Sequence, residues 1–129
     1  MQAQLDRQFM EQAIEQAKLA ALAGEVPVGA IVVRDGKVVS RAFNKPISNH
    51  DPSAHAEMLA LRAASLAEEN YRIPGTTLYV TLEPCSHTGR TPPCVDALIA
   101  AKPAKVIASM LDPNPLVSGK GLERLKAAG

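Results

Sequence analysis

Apolar positions in the first quarter of the chain recur at helical spacing. From about Asp6 to Ala23 they are Met10, Ala13, Ile14, Ala17, Ala20 and Ala21, and Gly24 follows as a stop signal. The spacing predicts a helix whose stripe of Met10, Ile14, Ala17 and Ala21 is core. The pattern then changes period. In "VGAIVVRDGKVVSRAFN" two β-branched runs flank Arg34-Asp35-Gly36-Lys37, and Asp-Gly between such runs predicts a tight hairpin.

Helical spacing returns in "HDPSAHAEMLALRAASLAEE". Asp51 is placed to cap that helix and Pro52 to occupy its first position. Gly75 precedes "TTLYVTLEP", a run of strand formers. Thr91 reads as a further N-cap, with Pro92 and Pro93 in the first turn of a helix through about Ala101. "AKVIASML" reads as a fourth strand and "GKGLERLKAAG" as a last short helix. The order predicts an α/β fold with helices on both faces of the sheet. The later strands should pair in parallel, and the hairpin should add an antiparallel edge, making the sheet mixed. With no repeat, low-complexity tract or long linker, residues 1–129 read as one domain.

Composition narrows the function classes. Hydrophobic residues make up 47% of the 129, yet only two Tyr, two Phe and no Trp are present, so the core must be largely aliphatic. The formal charge of +1, from 14 Lys and Arg against 13 Asp and Glu, lacks the basic footprint of an avid nucleic-acid binder. It still allows a transient or locally basic contact. No apolar stretch is as long as a membrane-spanning helix, and "MQAQLDRQFMEQ" lacks the apolar run of a signal peptide. The expectation is a cytoplasmic protein with reduced thiols. Two cysteines there suggest metal binding, catalysis or packing before a disulfide.

Both cysteines fall in "EPCSHTGRTPPC", residues 83–94. Cys85 is expected just beyond a strand end and Cys94 in the first turn of the next helix, where partial positive charge lowers a thiol's pKa. Two thiolates are too few for a closed structural zinc site, whereas a third ligand with an open fourth position gives a catalytic one. His55, in "SAHAEML" and expected in the first turn of the preceding helix, is the natural third ligand. Glu57 follows two residues on, and positions i and i+2 do not share a helix face. A site reached by both must therefore lie off the helix N-terminus. Zinc there would make water a nucleophile near neutral pH, and Glu57 could move its protons. Alone, Cys85 would read as a buried core thiol and Glu57 as an ordinary exposed carboxylate; the combination favours chemistry.

"HAE" followed by "PC…C" resembles the zinc-dependent cytidine deaminase superfamily. The resemblance implies a three-layer α/β/α cytidine-deaminase-like fold with a mixed sheet. It also implies one Zn²⁺ per chain on His55, Cys85 and Cys94, with Glu57 as the catalytic proton carrier. Residues from about 6 to 85, through "GEVPVGAIVVRDG", "FNKPISNHDPSAHAE" and "NYRIPGTTLYVTLEPC", resemble bacterial tRNA-specific adenosine deaminases. That likeness implies a pocket for a flipped-out purine, with Asn44 contacting the base, Val28 lining the pocket and Ala56 beside it. The structural alternative for Asn44 is a turn contact after the second strand. In that branch two residues separate the cysteines; here eight do.

From about residue 82 to 129, "LEPCSHTGRTPPC" and "MLDPNPLVSGKGLERLKAAG" instead resemble the deaminase domain of the bifunctional riboflavin-biosynthesis protein. That domain removes an amine from a ribosylated diaminopyrimidinone 5′-phosphate. On this likeness His87, Arg90 and Asn114 are candidate substrate contacts, and Arg90 with Lys120 could hold a phosphate. Their ordinary readings are a loop histidine, solvated cations and, for Asn114 with Asp112 and Pro113, a tight turn. His50 likewise reads first as a loop histidine, with a hydrogen bond to substrate as its functional alternative. That branch usually has Asn-Pro where Val26-Pro27 stands, lacks the "NKPISNHDP" loop and continues into a reductase domain. The tRNA enzymes add a C-terminal helix. The expectation is a minimal or hybrid, C-terminally shortened deaminase.

Three substrate readings follow, in order. The first is adenosine to inosine in an RNA or DNA strand, the second the riboflavin-pathway aminopyrimidine, and the third a cytosine or guanine compound. A zinc-stabilised scaffold or inactive partner subunit is the non-enzymatic alternative, and the presence of Glu57 argues against it. Both resembled branches imply a homodimer with its active site near the interface. The partners expected are thus a nucleobase-containing substrate and a second copy of the chain, with no membrane.

Overall fold

In the computed structural model, which describes residues 2–81, 103 and 105–108, the hairpin organises the sheet. Strands β1 (Gly29–Arg34) and β2 (Lys37–Phe43) pair antiparallel, and the turn residues Asp35 and Gly36 have φ of 51° and 76°. Two successive positive φ values give the turn whose twist matches that of the strands, which explains why Asp-Gly forecast it. β3 (Thr77–Val80) lies antiparallel to the other edge of β1, and β4 (Lys105–Ala108) lies parallel to β3. The order is β2-β1-β3-β4, so the sheet is mixed, with its parallel pair formed by the later strands as expected.

Each face of β1 and β3 carries its own core. Ile31, Val33 and Tyr79 face helix α1 (Gln2–Leu22) and pack with Phe9 and Ala13. Ala30, Val32, Leu78 and Val80 face helix α2 (Ala56–Glu68) and pack with Ala56, Ala60, Leu61 and Ala64. Alternation along a strand divides the residues between these layers. The result is three layers, helix, sheet and helix.

Two sequence expectations change. The buried stripe of α1 is Phe9, Ala13, Ala17 and Ala20, with Met10 beside it, whereas Ile14 is 40% exposed and Ala21 is exposed. The stripe is centred on alanines because α1 lies very close to the sheet: a Cβ at Gly29 would collide with the backbone of Ala13 and Ala17. The larger Ile14 sits to one side of that contact. The second change is the start of α2. Asp51 and Pro52 precede the helix in a turn, and His55, with φ −77° and ψ 152°, is the N-cap. Asp51 Oδ1 instead accepts from the Ser53 amide and hydroxyl at 2.9 and 2.7 Å. That local turn competes with the helical conformation. The Ala54 carbonyl is taken by Lys45 N–H, so the His55 carbonyl, accepting from Leu59 N–H, receives the first helical bond.

Cys85, His87, Arg90, Cys94, Asn114 and Lys120 lie outside the described residues, as do the helix expected from Thr91 and the final helix.

Candidate active site

The described half of the site assembles at the N-terminal end of α2. Its N-cap, His55, makes no side-chain capping bond, and its side chain is 32% exposed. Glu57 lies in the first turn and is 7% exposed, with Oε1 3.9 Å from His55 Nδ1. Because His55 is the cap and not a first-turn residue, its imidazole and the Glu57 carboxylate meet off the helix end. The helix N-terminus also presents partial positive charge there.

The missing cap comes from elsewhere in the chain. Asn44 Oδ1 accepts the Ala56 N–H at 2.7 Å, satisfying one of the donors that a helix N-terminus leaves open. The Asn44 amide N–H donates to the Val28 carbonyl at 3.1 Å, and the residue is 7% exposed. Asn44 therefore caps α2 across twelve residues of sequence, beyond the local turn considered from sequence. This bond also fixes the orientation of the side chain. An N–H donor on one side requires oxygen there, so the Nδ2 amine points the other way. Nδ2 has no acceptor among the described residues. A buried amine so held can donate to a ligand.

Ala56 is fully buried, and its N–H serves Asn44. Val28 is buried in the core under α2, and its carbonyl holds the Asn44 backbone. His50, exposed and with φ 48°, sits in the loop between β2 and α2. The structure thus brings together His55, Glu57, Asn44 and Ala56, with Val28 supporting them.

Two further residues were not singled out from sequence. Thr81 clamps the chain at the end of β3: its hydroxyl accepts from Gly29 N–H at 3.1 Å and its N–H donates to the Gly29 carbonyl at 3.0 Å. Glu25, 6% exposed, accepts from the Ile47 amide at 3.2 Å and from the Ser48 amide and hydroxyl, both at 2.7 Å. The Ser48 hydroxyl, then the two amides, hold its carboxyl below the ordinary range despite burial. The available signal for Glu25 was its position directly after the helix-stopping Gly24.

The arrangement suits a metal that takes imidazole nitrogen. His55 offers a partly open imidazole at a strand-and-helix end, and Glu57 is buried beside it without needing to be a ligand. The chemistry accessible to this set is activation of water with a carboxylate to carry protons.

Comparison with known proteins identifies the family. The family described as the cytidine and deoxycytidylate deaminase zinc-binding region matches residues 3–110. The riboflavin biosynthesis protein RibD of Escherichia coli is 52% identical over 102 residues, which are 79% of this chain and 25% of that protein. The diaminohydroxyphosphoribosylamino-pyrimidine deaminase of Buchnera aphidicola is 40% identical over 126 residues, 96% of this chain and 80% of that protein. Among solved structures, the Thermotoga maritima diaminohydroxyphosphoribosylaminopyrimidine deaminase/reductase superposes with a TM-score of 0.84 at 39% identity, over 100% of this chain and 36% of that one. A structure from work on A-to-I editing by tRNA wobble-position deaminases gives 0.76 at 38% identity, over 84% and 74%. The chain spans between a quarter and a third of the first riboflavin-biosynthesis relatives. With the family's region covering most of its length and the sheet and helices superposing on two of its branches, the chain belongs to the cytidine and deoxycytidylate deaminase zinc-binding family, the zinc-dependent hydrolytic deaminases.

Proposed function

We propose that the protein removes the exocyclic amine of a ribosylated diaminopyrimidinone 5′-phosphate, the deamination of riboflavin biosynthesis. The observation that carries this reading is the likeness to the Buchnera deaminase, which extends over 96% of this chain and 80% of that protein. This reverses the order of the sequence readings. The adenine-strand reading stands second, supported by the 38% identity and 0.76 TM-score to the tRNA deaminase structure. A net charge of +1 also suits a small substrate better than a nucleic-acid strand.

His55, with Cys85 and Cys94, would hold Zn²⁺, which when bound acts as a Lewis acid towards water. Asn44 Nδ2, aimed away from α2, would donate to an acceptor on the ring and fix which carbon faces the metal. Glu57 would accept one proton from water and pass it to the ring nitrogen, then carry the proton of the newly added hydroxyl to the departing amine. The C–N bond breaks, a carbonyl forms, and the amine leaves as ammonia. In net terms, amine plus water gives carbonyl plus ammonia. A homodimer forms part of this reading, and light scattering after size exclusion would test it.

The experiment is mass-spectrometric detection of amine-to-carbonyl conversion by zinc-loaded protein, comparing the pyrimidine phosphate with adenosine-containing oligonucleotides. Conversion of only the oligonucleotide would overturn the proposal in favour of the second reading. Glu57→Ala is expected to keep its zinc and to lose about 10²–10⁴-fold in kcat. Full turnover by that variant would remove Glu57 from its assigned role.

A further inference from the structure

We propose that Glu25 is a positioning residue of the active site, acting through the loop that joins Asn44 to His55. The inference rests on the deaminase reading for its kinetic arm and on geometry alone for its structural arm. Glu25 is itself held firmly. Gly24, with φ 77°, ends α1 in a paired turn in which Gly24 N–H donates to the Ala21 carbonyl and Glu25 N–H to the Ala20 carbonyl, at 3.1 and 2.9 Å. The Glu25 backbone is thus fixed at the end of α1, and its side chain reaches the loop from there.

The loop it grips has little else to hold its far end. Ile47 is 69% exposed, and Ser48, Asn49 and His50 are also exposed, so they bury little apolar surface. The loop is bonded to itself, through Asn49 N–H to the Lys45 carbonyl and Asp51 N–H to the Pro46 carbonyl. His50 sits in the left-handed region at φ 48°, a conformation unfavourable for a residue with a side chain. At the tip, Glu25 supplies the side-chain bonds from outside the loop, Ile47 N–H to one oxygen and Ser48 N–H and Oγ–H to the other, whereas Arg62 of α2 reaches only the returning arm, at Ser53 Oγ (3.3 Å) and Asp51 Oδ2 (3.9 Å).

The neck of the loop is where this matters. Lys45 N–H donates to the Ala54 carbonyl at 2.9 Å, and the residues flanking that bond are Asn44 and His55. Asn44 in turn takes the Ala56 N–H. A loop pinned at its tip by Glu25 and closed at its neck by Lys45 and Ala54 keeps the Asn44 amide seated on α2. Without Glu25 the tip can swing and the neck loosens, so the substrate-facing amine loses its fixed position. Glu57 is carried by the first turn of α2, whereas Asn44 lies at the foot of the loop. The effect is expected to fall on substrate binding more than on proton transfer.

The test uses Glu25→Ala, Glu25→Gln and Ser48→Ala, with zinc content and melting temperature measured for each. Glu25→Ala is expected to raise KM about tenfold while kcat stays within about twofold. Glu25→Gln retains one acceptor oxygen and should fall between wild type and Glu25→Ala. Ser48→Ala removes only the hydroxyl bond, so its KM rise should be the smallest, and it serves if Glu25→Ala does not fold. Amide hydrogen exchange supplies the structural arm. Loss of protection at Ile47, Ser48 and also Ala56 is expected, because Ala56 N–H reports whether Asn44 stays seated. Protection lost at Ile47 and Ser48 but kept at Ala56 would overturn the proposal, as would unchanged KM in folded, zinc-loaded Glu25→Ala. Wild-type protein that does not convert the pyrimidine phosphate would refute the functional reading, while the exchange arm would still decide the role of Glu25.

Discussion

Replacing Asn44 with Asp separates the two ends of its side chain. An Asp there keeps an oxygen for the Ala56 N–H, now received at 2.7 Å, and carboxylates are good partners for helix N-termini. It has no amine to offer a substrate. Asn44→Asp is therefore expected to melt close to wild type while kcat/KM falls about tenfold to a hundredfold, the loss of a buried hydrogen bond to substrate. Asn44→Ala loses both ends and should also lose about 1–2 kcal/mol of stability, as a removed cap does. Thermal melts alongside steady-state kinetics check both, and full activity in Asn44→Asp would exclude a substrate bond from Nδ2. That His55 and Glu57 lie together at the head of α2 was legible in the sequence, because "HAE" sets an imidazole and a carboxylate within three residues at a helix start. The cap formed by Asn44 and the anchor formed by Glu25 were not, because each depends on partners that only folding brings close.

Among the elements, the clearest energetic coupling is at the ends of β1 and α2. Arg34 Nε donates to Glu68 Oε2 at 2.6 Å and its Nη2 to Oε1 at 2.8 Å, a two-pronged pair, and Nη2 also reaches the Pro74 carbonyl. The hydrogen bond from Arg34 holds the Glu68 carboxyl below its ordinary value of 4.5. A carboxyl whose folded pKa is lowered contributes stability that is fully present above its unfolded pKa and lost as pH falls through the folded one. Arg34→Met is thus expected to melt below wild type at neutral pH, with the difference narrowing as the pH falls below 4.5. Melts across an acid series check this, and a constant difference would show that packing outweighs charge. The same scale shows what pattern can convey. Asp35-Gly36 announced the hairpin because the turn geometry is local, whereas the start of α2 was read early because Asp51 is an equally good partner for Ser53.

Across the whole molecule, the site depends on how closely α1 approaches the sheet. Gly29 stands where α1 crosses β1, and a Cβ there would lie within contact-breaking distance of Ala13 O, Ala17 N and Gln16 Cβ. A glycine inside a strand signals such an approach, though a sequence cannot say which element comes near. Gly36 differs: its surroundings are open, and the turn needs its positive φ. Gly29→Ala must push α1 outward or distort β1, at a cost of about 1–3 kcal/mol for overpacking. The displaced helix carries Glu25 at its end, and Gly29 also exchanges two hydrogen bonds with Thr81 where β3 leaves the sheet. The substitution should therefore raise KM as well as lower the melting temperature. Ala13→Gly should not rescue it, since the colliding atoms of Ala13 and Ala17 are backbone. Denaturant melts of the single and double variants check the argument. Recovery in the double variant would show that a side chain, not the helix backbone, sets the distance between α1 and the sheet.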